Sequence, residues 1–225
     1  MILRYLNFNT YILKSPNISF LIKLPTIKDI WVFSCIEGSQ FNFLKQSFKI
    51  NNISKIIIPN LHISNISGLL GLLSTLNLTG RTKSLHIYAP IDLQYYLDLG
   101  KKYSKTNFSY MLYIHVLKTG LIINQYSCRI YALNCHGCYE FFIIQSEQHG
   151  TFYLDKARNN YLLPSPLYGK LKKGLSFLFL DGFILSGSNF TSCNALGSQI
   201  SCLFSSFYSR RAFESINNTR LILFM

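Results

Sequence analysis

The chain has 225 residues, 49% of them hydrophobic and 15% aromatic, which excludes a disordered chain and predicts one domain of α/β size. None of its apolar runs reaches the roughly 20 residues that cross a bilayer, and strand-like sequence begins at the N-terminus, so we expect neither a membrane partner nor a signal peptide. The net charge of +13 favours a polyanionic partner, RNA or DNA, although coding in an AT-rich genome would also enrich lysine.

The first fifty residues predict strands and one short helix. Residues 1–24 alternate apolar and polar side chains, which indicates two or three strands that open a sheet. Residues 31–40, with the sequence WVFSCIEGSQ, predict a strand, a turn and the start of a helix. Residues 41–50 predict an amphipathic helix with Phe41 and Leu44 on its apolar side.

A strand, a polar loop and a helix rich in small residues form the centre of the sequence. Residues 53–58 predict a buried strand, because the isoleucines of residues 56–58 are β-branched and uninterrupted. The polar loop that follows, residues 60–65, reads NLHISN. Ile66–Leu73 then has leucines at helical spacing, and Gly68 and Gly71 allow close packing of this helix. Catalytic and binding residues of many folds lie in such a loop between a strand and a helix.

The middle of the chain continues the alternation of helices and strands. Residues 85–89 predict a strand, residues 91–103 a helix, and residues 108–131 further strands. His86 lies in the first of these strands, and we interpret it as a packed or exposed side chain and not as a metal ligand.

Two cysteines, Cys135 and Cys138, form a C-x-x-C pair around His136. Such a pair is half of a zinc site and needs further ligands. Because Cys128 is near in sequence, a cluster of three Cys and one His is one interpretation. Buried, reduced cysteines in a strand are the other.

A basic segment follows between residues 150 and 194. Residues 163–174, LPSPLYGKLKKG, predict a helix whose first turn starts at a proline. Residues 180–185, LDGFIL, predict a hairpin that turns at Asp181 and Gly182. The cations of this segment are Lys156, Arg158, Lys170, Lys172 and Lys173. Their positive charges suit contacts with RNA phosphates. The alternative is a basic hairpin that is only solvated.

In this order, the motifs resemble those of ribonuclease Z, the metallo-β-lactamase-fold endonuclease that trims tRNA 3′ ends. The family's hydrophobic strand followed by T-H-x-H-x-D-H and I-x-G-L-x-G-L-L corresponds to residues 55–73. Its F-D-C-G-E-G-T-Q corresponds to residues 33–40, and its x-P-x-G-P-L-x-x-x-L-K-x-G to residues 163–174.

The resemblance implies an α/β (α+β) fold, a four-layer αββα metallo-β-lactamase sandwich with an inserted flexible arm. We expect a single domain over residues 1–225 that is short at its C-terminus, because the family continues beyond this point toward a last histidine ligand. The arm, a hairpin insertion that grips the body of the tRNA in the family, corresponds to residues 150–194.

The family's metal ligands fall mostly on other residue types in this chain. The aligned positions are Asn60, His62, Ser64, Asn65, Asn134 and Ser205, of which only His62 is a family ligand. Ser34 likewise replaces an Asp that braces the site from behind. Asn and Ser are weak ligands for zinc, and one imidazole cannot hold the family's two zinc ions. We therefore expect no intact catalytic residue and no cofactor.

Two functions are consistent with this pattern. The first is a tRNA-binding pseudoenzyme or non-catalytic subunit of tRNA 3′-end processing, whose arm contacts RNA through Pro166 and the five cations named above. The second is an active metal-dependent tRNA 3′ endoribonuclease with a rebuilt site that uses His62, His136 and Cys135 or Cys138. Zinc content separates the two.

The resemblance also implies partners, and the composition implies a location. The partners are a tRNA precursor and either a second copy of the chain or an active ribonuclease Z subunit. The AT-rich coding bias and six cysteines, most of them within apolar runs, suit an organelle-encoded protein of the plastid stroma.

Overall fold

The computed structural model describes residues 2–5, 19–23, 28–45, 48–125, 128–135, 137–147, 149–179, 182–193, 197–203 and 221–224. Two large β-sheets, a layer of helices and a small hairpin unit make up this part of the chain. None of the helices in these ranges is both long and apolar enough to cross a membrane.

The first sheet has six strands in the order of the chain. The neighbouring pairs β1–β2 and β2–β3 are antiparallel, and β3 to β6 are parallel. The strands are β1 (Ile2–Tyr5), β2 (Phe20–Lys23), β3 (Ile30–Phe33), β4 (Ile53–Ile57), β5 (Leu85–Ala89) and β6 (Leu112–Val116).

The second sheet has five strands in the order β13-β12-β9-β8-β7. The strands β7, β8, β9 and β12 are antiparallel neighbours, whereas β12 and β13 are parallel. The strands are β7 (Gly120–Gln125), β8 (Cys128–Cys135), β9 (Cys138–Gln145), β12 (Ser198–Leu203) and β13 (Leu221–Phe224).

The parallel strands of the first sheet are connected through helices, as parallel pairing requires. These helices are α1 (Ser39–Lys45), α2 (Ile63–Ile66), α3 (Leu69–Leu78) and α4 (Leu93–Ser104). They cover one face of the first sheet, and its other face packs on the second sheet. Helices, sheet and sheet are thus three of the layers of the predicted αββα sandwich.

Each face of the first sheet has its own apolar core, because side chains alternate along a strand. In β2, for example, Leu21 contributes to the core under the helices, whereas Phe20 and Ile22 point toward the second sheet. The core between the sheets is aromatic near β3, where Phe20 and Phe33 stack with ring centroids 4.4 Å apart and Phe141 meets Phe33 edge to face.

The predicted apolar side of α1 is wrong. Phe41 and Leu44 are 62% and 60% exposed, and Phe43 is the buried phenylalanine. The helix ends at Lys45, not near residue 50, so it has only two turns and buries a single stripe through Ser39 and Phe43.

The helix predicted from Ile66 differs in the structure, because α2 begins at Ile63, inside the residues predicted as a polar loop, and α3 begins only at Leu69. The break lies at Ser67 and Gly68, between α2 and α3. The Gly68 N–H donates to the Cys35 carbonyl at 2.9 Å, and a Cβ at Gly68 would lie 1.9 Å from the Ile36 carbonyl oxygen. Only glycine lets the start of α3 approach the β3–α1 loop this closely.

The basic segment forms a small unit with its own core. It contains α5 (Leu154–Asn159), α6 (Leu167–Lys172), the hairpin β10 (Ser176–Leu178) and β11 (Ile184–Ser186), and a 3₁₀ turn at Gly187–Phe190. The fully buried members of its core are Ala157, Leu171, Leu185 and Phe190. The structure therefore contains the predicted helix and hairpin, and we call this unit the arm. Asp181 at the predicted hairpin turn lies outside the described residues.

Candidate functional site

Four of the six aligned ligand positions lie together after β4: Asn60 and His62 in the loop, and Ser64 and Asn65 in α2. We call residues 60–65 the central loop. The side-chain oxygen of Asn60 accepts a hydrogen bond from the Asn65 amide at 2.6 Å and from the His62 backbone N–H at 3.1 Å. The Nδ1 atom of His62 lies 2.7 Å from the Ser64 hydroxyl and caps the N-terminus of α2. These polar side chains satisfy one another, so the loop is held by hydrogen bonds of its own.

The hairpin of β8 and β9 closes over this loop. The Asn60 amide donates to Cys138 Sγ at 3.3 Å, and the Tyr139 backbone N–H donates to the Pro59 carbonyl at 3.0 Å. Asn134 pairs with Tyr139 in the strand register, and its side chain is exposed. The structure thus brings the Asn134 position to the edge of the loop that carries Asn60.

The end of β3 supports the loop from behind. The Cys35 backbone N–H donates to the Asn65 carbonyl at 2.8 Å. Ser34, which the resemblance aligns with a bracing Asp, is buried in a left-handed conformation at φ 58°. Its hydroxyl has no hydrogen-bond partner among the described residues, so Ser34 does not brace any side chain of the loop.

The residues of this loop do not fit the family's pair of zinc ions. Its donors are two neutral amides, a hydroxyl and one imidazole, whereas zinc takes imidazole, thiolate or carboxylate ligands. Among the described residues, no three His, Cys, Asp or Glu side chains come close enough to hold a metal ion. Ser205 and His136, the two remaining candidates, lie outside the described residues.

The two cysteines of the C-x-x-C pair face each other across the hairpin, since Cys135 is the register partner of Cys138. The Cys135 thiol donates to a carboxylate oxygen of Glu140 at 3.5 Å. Burial raises the pKa of the Cys138 thiol, and the hydrogen bond from Asn60 opposes this shift. The thiol is therefore protonated at neutral pH, the form that binds metal poorly.

The interpretation of Cys128, Cys135, Cys138 and His136 as one zinc-binding cluster is wrong. Cys128 pairs with Gln145 at the opposite end of the same hairpin, seven register positions away from Cys135. At about 3.3 Å per residue this distance is roughly 23 Å. Cys128 is buried between the sheets, and burial raises its pKa to about 11, as is typical of an inert core thiol.

The arm carries every residue that the sequence assigns to RNA contact. Lys156 and Arg158 flank the buried Ala157 on α5, and Lys170 and Lys172 flank the buried Leu171 on α6. Lys173 follows α6, and Pro166 precedes it as the N-cap residue. All of these side chains except those of Ala157 and Leu171 are exposed, and none of the five cations forms an ion pair within the described residues. The cations of both helices thus surround one small core.

A cluster of histidines and tyrosines, which no sequence pattern predicted, lies on the outer strand pair β5 and β6. His86 Nδ1 lies 2.9 Å from His115 Nε2, and the rings of Tyr113 and Tyr88 stack on these two imidazoles. Burial and the nearby Lys55 ammonium lower the pKa of both histidines. The interpretation of His86 as a packed side chain agrees with these contacts.

Comparison with known proteins assigns the chain to a family. No family model matches it. It is 38% identical over 199 residues to "Uncharacterized protein ycf56" of Pyropia yezoensis, a match that covers 85% of this chain and 74% of the relative. It is 30% identical over 217 residues to ribonuclease Z of Acaryochloris marina, a match that covers 93% of this chain and 68% of the relative.

Two solved structures have the same fold. The short form of human tRNase Z superimposes with a TM-score of 0.53 at 21% identity, over 64% of this chain and 63% of the human chain. Zn²⁺-bound PqqB from Methylobacterium extorquens superimposes with a TM-score of 0.53 at 7% identity, over 92% of this chain and 56% of PqqB. The predicted metallo-β-lactamase fold is confirmed, and the identity to a ribonuclease Z over most of both chains shows that this chain belongs to the ribonuclease Z family.

Proposed function

We propose that this chain is a tRNA-binding, non-catalytic member of the ribonuclease Z family that acts in tRNA 3′-end processing. The single observation that carries the proposal is the central loop, where Asn60, Ser64 and Asn65 occupy aligned metal-ligand positions and hydrogen bonds join these residues and His62 in pairs. The arm with its unpaired cations is retained.

The loss of catalysis follows from the donor set. Hydrolysis at a dinuclear zinc site needs ions that generate a hydroxide and stabilise the leaving oxygen. In this loop the Asn60 oxygen already accepts two hydrogen bonds, and the His62 Nδ1 atom is occupied by Ser64. We therefore predict that the chain binds no cofactor and, as a result, does not hydrolyse phosphodiester bonds.

The positive charge of the chain supports RNA binding. The chain has 22 Lys and Arg residues against 9 Asp and Glu residues, and five of the cations lie on the arm. A protein that neutralises several phosphates releases counterions, so its affinity falls steeply with salt concentration. A steep salt dependence of tRNA binding is the expected signature.

The proposed partners and location extend this assignment. The exposed cations do not position a scissile bond by themselves, so we include an active ribonuclease Z subunit or a second copy of this chain as the assembly partner. The proposed location is the plastid stroma, which the ycf56 relatives of Porphyra purpurea and Pyropia yezoensis support.

A single-turnover assay tests the proposal. Purified protein in excess meets a tRNA precursor with a 3′ trailer, in Zn²⁺ or Mn²⁺ and then in EDTA, and the cleaved and the bound fractions are recorded on the same samples. We expect binding without cleavage. Metal-dependent cleavage after the discriminator base would refute the non-catalytic assignment, and the absence of binding would refute the RNA-binding assignment.

The rebuilt, active site is the second candidate function. The contact between Asn60 and Cys138 favours it, because it places a thiol beside the loop that carries His62. This candidate requires one stoichiometric zinc ion that is lost in His62→Ala and in Cys138→Ser. Metal analysis of the wild type and the two variants decides between the candidates.

A further inference from the structure

The arm contains a pocket that lies apart from the central loop. The pocket has a volume of about 300 Å³ and lies between α5, β11 and the 3₁₀ turn that follows β11. Its apolar lining includes Leu185 and Phe190, which are buried, and Phe183, which is 54% exposed. The apolar part of this pocket is therefore fixed by the core of the arm, and Phe183 lies at its open side.

Polar groups surround this apolar lining. Lys156, Asn160 and Asn189 line the pocket together with the apolar side chains. The Lys156 ammonium lies 3.4 Å from the Asn189 carbonyl oxygen and 4.9 Å from the centroid of the Tyr153 ring, so it is held at the pocket. The Asn189 side-chain amide makes no hydrogen bond to the described residues, and it remains available to a ligand.

We propose that this pocket binds an unpaired nucleobase of the RNA that the arm contacts. An aromatic side chain offers a stacking surface to any base, and an amide can both donate and accept at the polar edge of a base. A cation beside the pocket pairs with the adjoining phosphate. The volume lies at the lower end of the range for ligand pockets and suits a ligand as small as a single nucleotide.

Charge selects this occupant over an apolar peptide or an acyl chain. The pocket shares its unit with Arg158 and the lysines of α6, none of which is neutralised by an ion pair within the described residues. An apolar ligand would gain nothing from these cations, whereas a nucleotide would gain at its phosphate. The inference rests on the proposed RNA binding and adds to it a contact with a base, where the cations provide contacts with the backbone.

The first experiment uses the full chain and mononucleotides. The methyl groups of Ile184 and Leu185 are observed by ¹H–¹³C NMR while AMP, CMP, GMP or UMP is added, with ribose 5-phosphate and octanoate as controls. We expect the nucleotides to shift these signals and both controls to leave them in place. Equal shifts with ribose 5-phosphate would reveal a phosphate site only, and equal shifts with octanoate a generic apolar pocket; either result would overturn the proposal.

The second experiment measures the affinity for a tRNA precursor as a function of salt. Phe183→Ala is expected to weaken binding about tenfold and to leave the salt dependence unchanged, because it removes a stacking surface and no charge. Leu178→Ala is the matched control, since Leu178 is 74% exposed on the same hairpin but does not line the pocket. Equal affinities of the two variants would overturn the proposal.

The two experiments keep this inference separate from the proposed function. If the wild type binds no tRNA, the proposed function fails, and the mononucleotide titration still decides whether the pocket takes a base. If the wild type binds tRNA and Phe183→Ala behaves like Leu178→Ala, the proposed function stands and the base pocket is refuted.

Discussion

The substitution Asn60→Ala tests whether hydrogen bonds hold the central loop in place of metal. It removes the acceptor of the Asn65 amide at 2.6 Å, the acceptor of the His62 N–H at 3.1 Å and the donor to Cys138 Sγ at 3.3 Å. Asn65 is only 7% exposed, so its amide is left in a site that water reaches poorly.

The expected change in the free energy of unfolding follows from these three contacts. An unsatisfied buried amide costs about 1–3 kcal/mol, whereas the exposed N–H of His62 finds water and the contact with sulfur is weak. We therefore expect Asn60→Ala to lower the free energy of unfolding by about 2 kcal/mol. Asn60→Asp keeps the acceptor and loses only the donor to Cys138, so its loss should be smaller.

Guanidinium unfolding followed by circular dichroism provides the measurement, with a lower midpoint at an unchanged slope as the expected result. The control is Asn124→Ala, because Asn124 is exposed in β7 and its substitution should change stability by less than about 0.5 kcal/mol. If Asn60→Ala costs no more than this control, the hydrogen bonds do not hold the loop.

Three further predictions address close packing, RNA binding and thiol chemistry. Gly68→Ala should lower the melting temperature by several degrees, because its Cβ would lie 1.9 Å from the Ile36 carbonyl oxygen, whereas Gly169→Ala, with open space around the Cβ, should not lower it. The variant in which Lys170, Lys172 and Lys173 are all replaced by glutamine should show a shallower slope of log affinity against log salt concentration in filter binding. Each lost phosphate contact removes about 0.9 from this slope for a duplex. An unchanged slope would contradict the role of these lysines. Alkylation followed by peptide mass spectrometry should modify the exposed Cys193 well before Cys138 at pH 8, because burial raises the pKa of Cys138 and its thiolate becomes abundant only at higher pH; equal rates would show that the hairpin does not cover this thiol.

The sequence was sufficient for much of the architecture. The run of isoleucines located β4, and the motif of residues 163–174 located the helix α6. These features depend on local patterns of side chains or on short motifs, and both are visible in a single sequence.

The contacts that define the site could not be predicted in the same way. Asn60 and Cys138 are 78 positions apart, and their hydrogen bond depends on how the β8–β9 hairpin sits over the β4–α2 loop. The pair of His86 and His115 likewise depends on the register between β5 and β6. The burial of Phe43 instead of Phe41 depends on where α1 ends, which amphipathic spacing alone does not fix.

The polar side chains of the central loop form hydrogen bonds with one another, and this affects how folding of the protein depends on metal. In a metalloprotein whose ligand cluster is charged or poorly paired without its ion, part of the folding free energy is metal-binding free energy, and folding therefore depends on metal supply. Here the Asn60, His62 and Asn65 groups close on one another, and none of the three needs an ion to offset a cluster of like charges. We therefore predict that folding of this chain does not depend on the zinc concentration of its compartment, so that a chelator that unfolds a metal-dependent relative should leave this chain folded.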